Sequence, residues 1–356
     1  IFSKLYMKVY GGGYRPHKVN LVINLSYNTI KSKFMINDDL APIVIICYNR
    51  PEHFKKTIDN LTKCKEAINS NIFIYIDGPK NEDDTKYINV IENLAKKKKN
   101  YFHNLEIIKR NKNYGLRKNI TMSVSEILNQ YNSIIVLEDD IIVSKHFLYY
   151  MNNALVYYKN TEKIWHISAY SPINNYLKKD NIYISQLMYC WGWGTWKNRW
   201  KKFSSDENLL IKKLDSNLIK DLNFNNTHDS YSQIISNKKK TMNTWAVFWY
   251  TSIYLNNGLC INPYTSLSKN IGLDGSGHNS GYDKEMYNLQ TLNDSNEYKF
   301  NPETKLIEDI DARIEIQKFY KSRKKFINKL LETTIIKIFG EKIGYNIKYI
   351  LNKFKN

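Results

Sequence analysis

Cysteine is scarce. Four residues, Cys47, Cys64, Cys190 and Cys260, lie far apart in a chain of 356, with no close metal-type pairing. The simplest expectation is a reduced, cytoplasmic protein. No apolar run approaches the ~18 residues that a membrane span requires. No internal repeat and no long low-complexity linker is present, and zinc-finger, helix-turn-helix and RNP-like aromatic signatures are missing, so no nucleic-acid partner is expected. The chain opens on Ile1 rather than Met, so targeting signals at its start are not readable.

What is present is apolar, aromatic and basic. Hydrophobic residues make up 42% and aromatics 14%, with 28 Tyr and 7 Trp, enough for one large domain plus an appendage or for two domains. Lys+Arg number 53 against 34 Asp+Glu, a formal charge of +19. Such a charge suits nucleic acid, an anionic membrane face or phosphate-bearing substrates, and composition alone does not choose.

Short apolar strands alternate with amphipathic helices from residue 41 onward. IVII at 43–46 is a buried-strand signal, followed by Asn49-Arg50-Pro51 as a helix start and Phe54, Ile58 and Leu61 at helical spacing. NIFIYIDG at 71–78, LEIIKR at 105–110 and SIIVL at 133–137 are further strands; 85–99 and 117–130 are helices, and Ser144 caps another. This rhythm predicts an α/β fold with a mainly parallel sheet flanked by helices. Beyond Ile164 it gives way to an aromatic, glycine-rich half with helices expected over 206–222 and 245–257.

YNSIIVLEDDIIVSKHF, residues 131–147, puts three carboxylates directly after an apolar strand. In open α/β sheets ligands bind beyond the carboxyl ends of the strands, where Asp77 also falls. On an extended chain Glu138 and Asp140 share a side and Asp139 faces away. A divalent cation relieves their mutual repulsion, and Mg²⁺ or Mn²⁺ is expected rather than zinc because the ligands are oxygens. The plainer alternative is a strand ending in acidic turn residues that cap a helix; the second acidic strand end at Asp77 weighs against it.

With these residues in place, the chain from about 41 to 280 resembles a GT-A nucleotide-sugar glycosyltransferase, close to the N-acetylglucosaminyltransferase-I-like enzymes and bacterial surface-polysaccharide transferases. The resemblance rests on IICYNRP, IDGP at 76–79, NKNYGLRKN at 111–119, LEDD at 137–140, CWGWGTWKNRWKKF at 190–203 and CINPYTSLSKNIG at 260–272. It implies a Rossmann-like GT-A catalytic domain over 41–310, with a nucleotide-binding half (41–143) and an acceptor half (144–310). Residues 1–40 are then a leader or edge element and 311–356 a basic helical tail.

Carried over by resemblance, Cys47, Asn49 and Arg50 receive the nucleotide and Asp77 contacts uracil. Asp140 binds the metal, Asp139 lies toward the ribose or diphosphate and Glu138 toward the donor sugar. Arg50, Arg117 and Lys118 are candidate diphosphate contacts. Of Trp191, Trp193 and Trp196, the glycine-flanked Trp193 is the preferred wall against a sugar ring. The chain departs from the family at NTWAVFW, where Ala246 and Val247 stand in the region of an expected catalytic acid. Asp274, Asp229 and His278 are the candidate replacements, with His278 also a candidate metal or diphosphate contact. The implied reaction is inverting transfer to a glycan or lipid-linked glycan in bacterial surface polysaccharide synthesis; the rival is a catalytically idle carbohydrate-binding or scaffold protein. Residues 313–355 mix Lys with recurring apolar positions, as does a helix lying on an anionic membrane, which places the protein peripherally at the inner face of the cell membrane.

Overall fold

Every strand around the sheet's centre is buried on both faces, and this dictates the layers. The computed structural model describes residues 40–173, 182–274, 292–294, 298, 300 and 305–323. The leader 1–39, His278 and the tail beyond 323 lie outside the described residues. The chain divides into a unit of residues 1–40 and one of residues 41–356, and the description concerns the second.

Its strands are β1 (Ile43–Cys47), β2 (Asn71–Ile76), β3 (Asn104–Lys109), β4 (Ser133–Glu138), β5 (Ile141–Val143), β6 (Ile164–Ser168), β7 (Ile182–Ser185), β8 (Trp193–Trp196), β9 (Leu259–Pro263) and β10 (Ser268–Asn270). The long helices are α1 (Pro51–Leu61), α2 (Glu82–Lys96), α3 (Gly115–Gln130), α4 (Phe147–Tyr158) and α5 (Ala246–Leu255), with α6 over 310–323. One eight-stranded sheet runs β3-β2-β1-β4-β8-β6-β9-β7, and β5 pairs with β10 in a small ribbon. β3, β2, β1 and β4 are parallel, as are β6 and β9; β8 runs antiparallel between β4 and β6. This is the mixed, mostly parallel α/β sheet of a Rossmann-like GT-A fold.

Alternation along β1 explains the two cores. Ile43 and Ile45 pack with Phe54, Ile58, Ile91 and Met151 under α1, α2 and α4. Val44 and Ile46 pack with Ile120, Val124, Phe248 and Trp249 under α3 and α5. A strand buried on both sides needs an unbroken apolar run, which IVIIC supplies. Two expected boundaries move. The second helix starts at Glu82, where the Asn81 side chain accepts the Asp84 N–H, and 206–222 splits into Glu207–Lys212 and Ser216–Leu222, each capped by its own aspartate. Residues 193–196 form a central strand, which the two glycines and three aromatics of WGWGTW disguise in the sequence.

One core histidine weakens the fold in acid. His166 in β6 is fully buried; its Nε2 donates to the Tyr189 carbonyl (3.0 Å) and its Nδ1 accepts from Trp249 Nε1 (3.2 Å). Burial pushes its pKa down to about 3, against ~6.5 when unfolded. Between those values the unfolded chain holds the extra proton, so this histidine's contribution to stability is full above pH 6.5 and falls as pH drops, by about 1.4 kcal/mol per unit. In urea unfolding at pH 7.5, 6 and 5 the wild type is expected to lose stability relative to His166→Gln as pH falls, since the other titrating groups cancel in the comparison; a difference that does not change with pH contradicts the assignment.

Candidate active site

Chain order reverses at β1, with β2 and β3 on one side and β4 on the other. A cleft of about 510 Å³ lies at the carboxyl ends of β1, β2 and β4, the switch-point position of open α/β sheets. From β1 it takes Cys47 and the loop Tyr48-Asn49-Arg50; from β2, Asp77; from β4, Glu138 with Asp139 and Asp140 beyond it. Asn113, Gly115 and Asn119 enter from the start of α3, Trp191 and Asn243–Ala246 from the second half, and Arg323 from α6.

Asp77 is a linchpin of this cleft. Its carboxylate accepts backbone N–H groups from Gly78 (3.0 Å), Tyr114 (2.9 Å) and Gly115 (2.8 Å), fixing the start of α3. Gly115 has φ +74°, which glycine adopts without strain. The loops touch so closely that a Cβ on Gly78 would stand 2.3 Å from the Lys112 carbonyl carbon. Asp77→Asn removes one acceptor oxygen, so we expect a loss of about 1–3 kcal/mol in denaturant unfolding, with wider opening of residues 112–118 in hydrogen exchange. Unchanged exchange there refutes the role.

The three carboxylates do not alternate as a strand pattern predicts. β4 ends at Glu138, Asp139 and Asp140 form a turn, and both reach the same Arg50 guanidinium. Period two fails because the extended backbone ends at Glu138, before the two aspartates. Arg50 Nη2 is ion-paired with Asp139 and lies 2.9 Å from Asp140 Oδ2. The Tyr48 N–H also points to Asp139 (3.4 Å), and the Thr57 hydroxyl donates to the Asp139 carbonyl (2.7 Å). Asp140 Oδ1 is buried without a hydrogen-bond partner. Gly272 closes the corner from β10: any Cβ there would meet Asp140 Oδ2 at 2.1 Å, and the Ile271 N–H donates to the Asp140 carbonyl (2.9 Å).

One guanidinium against three carboxylates leaves excess negative charge, and the pKa values register it. Burial, then repulsion from Asp140 and Asp139, pushes Glu138 up to about 8; burial outweighs Arg50 and lifts Asp139 to about 6. Burial works against the Arg50 charge, yet its two carboxylates raise its pKa. Glu138 stands outside the Arg50 pair; its Oε1 faces the Trp245 indole N–H at 3.4 Å. Among the described residues, no cluster of three or more His, Cys, Asp or Glu side chains forms a metal centre by itself. The oxygen-only donors and the unpartnered Asp140 Oδ1 nonetheless fit a hard divalent ion that draws its other ligands from substrate and water.

Several expected site residues lie elsewhere. Trp193 is wholly buried, stacked on Trp245 (ring centroids 5.1 Å apart) and on His166 (5.5 Å), so it is core and not a ligand wall; its neighbour Trp191 lines the cleft instead. Arg117 is spent on Glu207 (2.8 Å), the Ser205 carbonyl and the Phe248 ring face. Asp229 caps the helix Ser230–Lys238 and Asp274 bonds His53 Nε2 (3.0 Å); neither lines the cleft. Sequence reasoning missed the amides Asn113, Asn119 and Asn270, which blend into an Asn-rich chain, and Arg323, which follows from no motif.

A mostly parallel sheet with an acidic, basic-rimmed cleft at its switch point defines the GT-A-like nucleotide-sugar glycosyltransferase superfamily as the class of this fold. Within it, the GNT-I family profile matches residues 20–205, more than half of the chain, and the chain belongs to the GNT-I family. No curated protein matches it. Among solved structures, the chain is similar to the mannosyltransferase PcManGT from Pyrobaculum calidifontis in complex with GDP-Man and Mn²⁺, at 9% identity over 65% of this chain and 76% of that one, TM-score 0.35. It is also similar to S. aureus TarS 1-349, at 13% identity over 49% of this chain and 54% of that one, TM-score 0.32. The match thus spans about half the TarS chain, and both are distant likenesses of architecture.

Proposed function

We propose that the protein transfers a sugar from a nucleotide-sugar, by its family resemblance a UDP-sugar, to a hydroxyl of a glycan or lipid-linked glycan, with inversion. The acidic corner carries this reading. Two carboxylates converge on one arginine with Glu138 beside them, and leaving Asp140 Oδ1 buried and unpaired costs about 1–3 kcal/mol that the fold has no structural reason to bear. Asp140 would hold Mn²⁺ or Mg²⁺, which when bound offsets the charge developing on the departing diphosphate. Arg50 and Lys80 add positive potential beside it, and Asp77 keeps the start of α3 in position.

Proton transfer falls to Glu138. Of the cleft carboxylates among the described residues, Asp77 is taken up by three backbone donors, and Asp139 and Asp140 by Arg50. Glu138 is left to take the proton of the attacking hydroxyl, oriented by Trp245. It does so as the carboxylate, which its pKa of about 8 makes the major form only above that pH, so transfer should rise through pH 8. Asp229 and Asp274 are no longer candidates by position. In this reading the acceptor belongs to surface polysaccharide synthesis and the enzyme works at the inner face of the membrane; no helix of the described residues is long and apolar enough to cross one.

A panel of UDP-, GDP- and CDP-sugars tests the proposal. One donor is expected to raise the unfolding temperature only with a divalent cation and to be hydrolysed slowly in water. Glu138→Gln should keep that protection while transfer falls by roughly 10²-fold. A panel that neither protects nor turns over defeats the enzyme reading; protection without any turnover makes the chain an idle binding protein.

A further inference from the structure

A second cavity of about 180 Å³ shares the Cys190, Trp191 and Ala246 walls of the donor cleft. Its lining differs in kind. The cleft carries Arg50, Lys80, Arg323, Asp77 and the acidic corner, whereas the second cavity has no Asp, Glu, Lys or Arg among its described lining. Tyr170, Trp191, Tyr250 and Tyr320 supply ring surface, and Ser230, Gln233 and His228 supply polar groups. His228 hydrogen-bonds Ser230 Oγ at 2.8 Å, and burial pushes its pKa down to about 4, so it is neutral at pH 7.

Resting on the transferase reading above, we propose that this cavity is the acceptor subsite and that it seats one uncharged pyranose ring. Ring faces meet the apolar C–H side of a sugar, while hydroxyl, amide and neutral imidazole groups exchange hydrogen bonds with its hydroxyls. The volume falls below the ~300 Å³ at which drug-sized sites begin, which suits a single ring. A phosphate finds no cation here, so the anionic part of a lipid-linked acceptor lies outside, and His228, Ser230 and Gln233 give an alkyl chain a partly polar wall. Ala246 is the smallest of the three side chains that the cavity shares with the donor cleft, so it is here that a hydroxyl of the seated ring would approach the donor. Tyr320 makes α6 part of this subsite, although the sequence assigns that segment to a membrane tail.

The test uses the full chain without donor. Methyl glycosides of glucose, galactose, mannose, N-acetylglucosamine and N-acetylgalactosamine are screened by saturation-transfer NMR, with inorganic phosphate and octanol as the competing chemistries. At least one glycoside should bind the wild type, and Gln233→Trp, at a half-exposed position on the cavity wall, should weaken it by about tenfold or more. Nucleotide and manganese binding are measured in the same variant and should not change. Should Gln233→Trp fail to fold, Tyr320→Ala removes a wall and is expected to weaken the glycoside likewise. Binding of no glycoside, preference for octanol or phosphate, or equal glycoside binding by the variants overturns the proposal. Glycoside binding in a protein that binds no nucleotide refutes the transferase reading and leaves the sugar subsite standing.

Discussion

Asp140→Ala is expected to lower sugar transfer by roughly 10²–10³-fold while leaving the folded state as stable as before, or more stable. The two halves of this result separate the metal reading from a structural one. If Asp140 serves only to neutralise Arg50, its loss strands a buried guanidinium and destabilises the protein. In the structure, however, Arg50 keeps Asp139, and what disappears is an unpartnered buried oxygen and one charge of an excess. Denaturant unfolding should therefore show no loss, and manganese should no longer protect a nucleotide-bound protein. Wild-type manganese protection in the variant would remove Asp140 from the cation's coordination.

Trp193→Ala should cost about 3–5 kcal/mol, the largest stability effect expected of any residue once considered for ligand contact. The indole is wholly buried between Trp245 and His166, with Trp200 at 5.9 Å. At temperatures where the variant is folded, its affinity for nucleotide should stay close to that of the wild type, since the ring does not line the cleft. Equilibrium unfolding and a nucleotide titration on the same samples check both points. A variant of normal stability with lost nucleotide binding would return Trp193 to the site.

The contrast shows where a linear chain is informative. IVIIC, NIFIYI and SIIVL are buried on both faces, so their apolar runs report the parallel strands, and the acidic ends report the switch point directly. The resemblance motifs supplied the GT-A fold because they lie on these same strand ends. Side-chain direction was less legible. The turn that follows Glu138 sets Asp139 and Asp140 as a pair on Arg50 with Glu138 apart, in place of an alternating trio. Glycines flanking Trp193 suggest ligand access, but Gly194 instead allows close strand packing: a Cβ there would sit 2.8 Å from the Ile134 carbonyl. Arg117 beside a phosphate-type loop looks available until Glu207, ninety residues on, claims it. Such partners are long-range, and local pattern carries no record of them.

The Gly272 contact has a bearing on biogenesis. The last wall of the acidic corner comes from residues 271–272, more than 130 positions after the carboxylates they cover. A growing polypeptide can therefore complete the first four parallel strands on the ribosome while Glu138, Asp139 and Asp140 still face water. Nascent chains halted before Gly272 should fold in their first half yet bind no nucleotide, so competence arrives as a late event of translation.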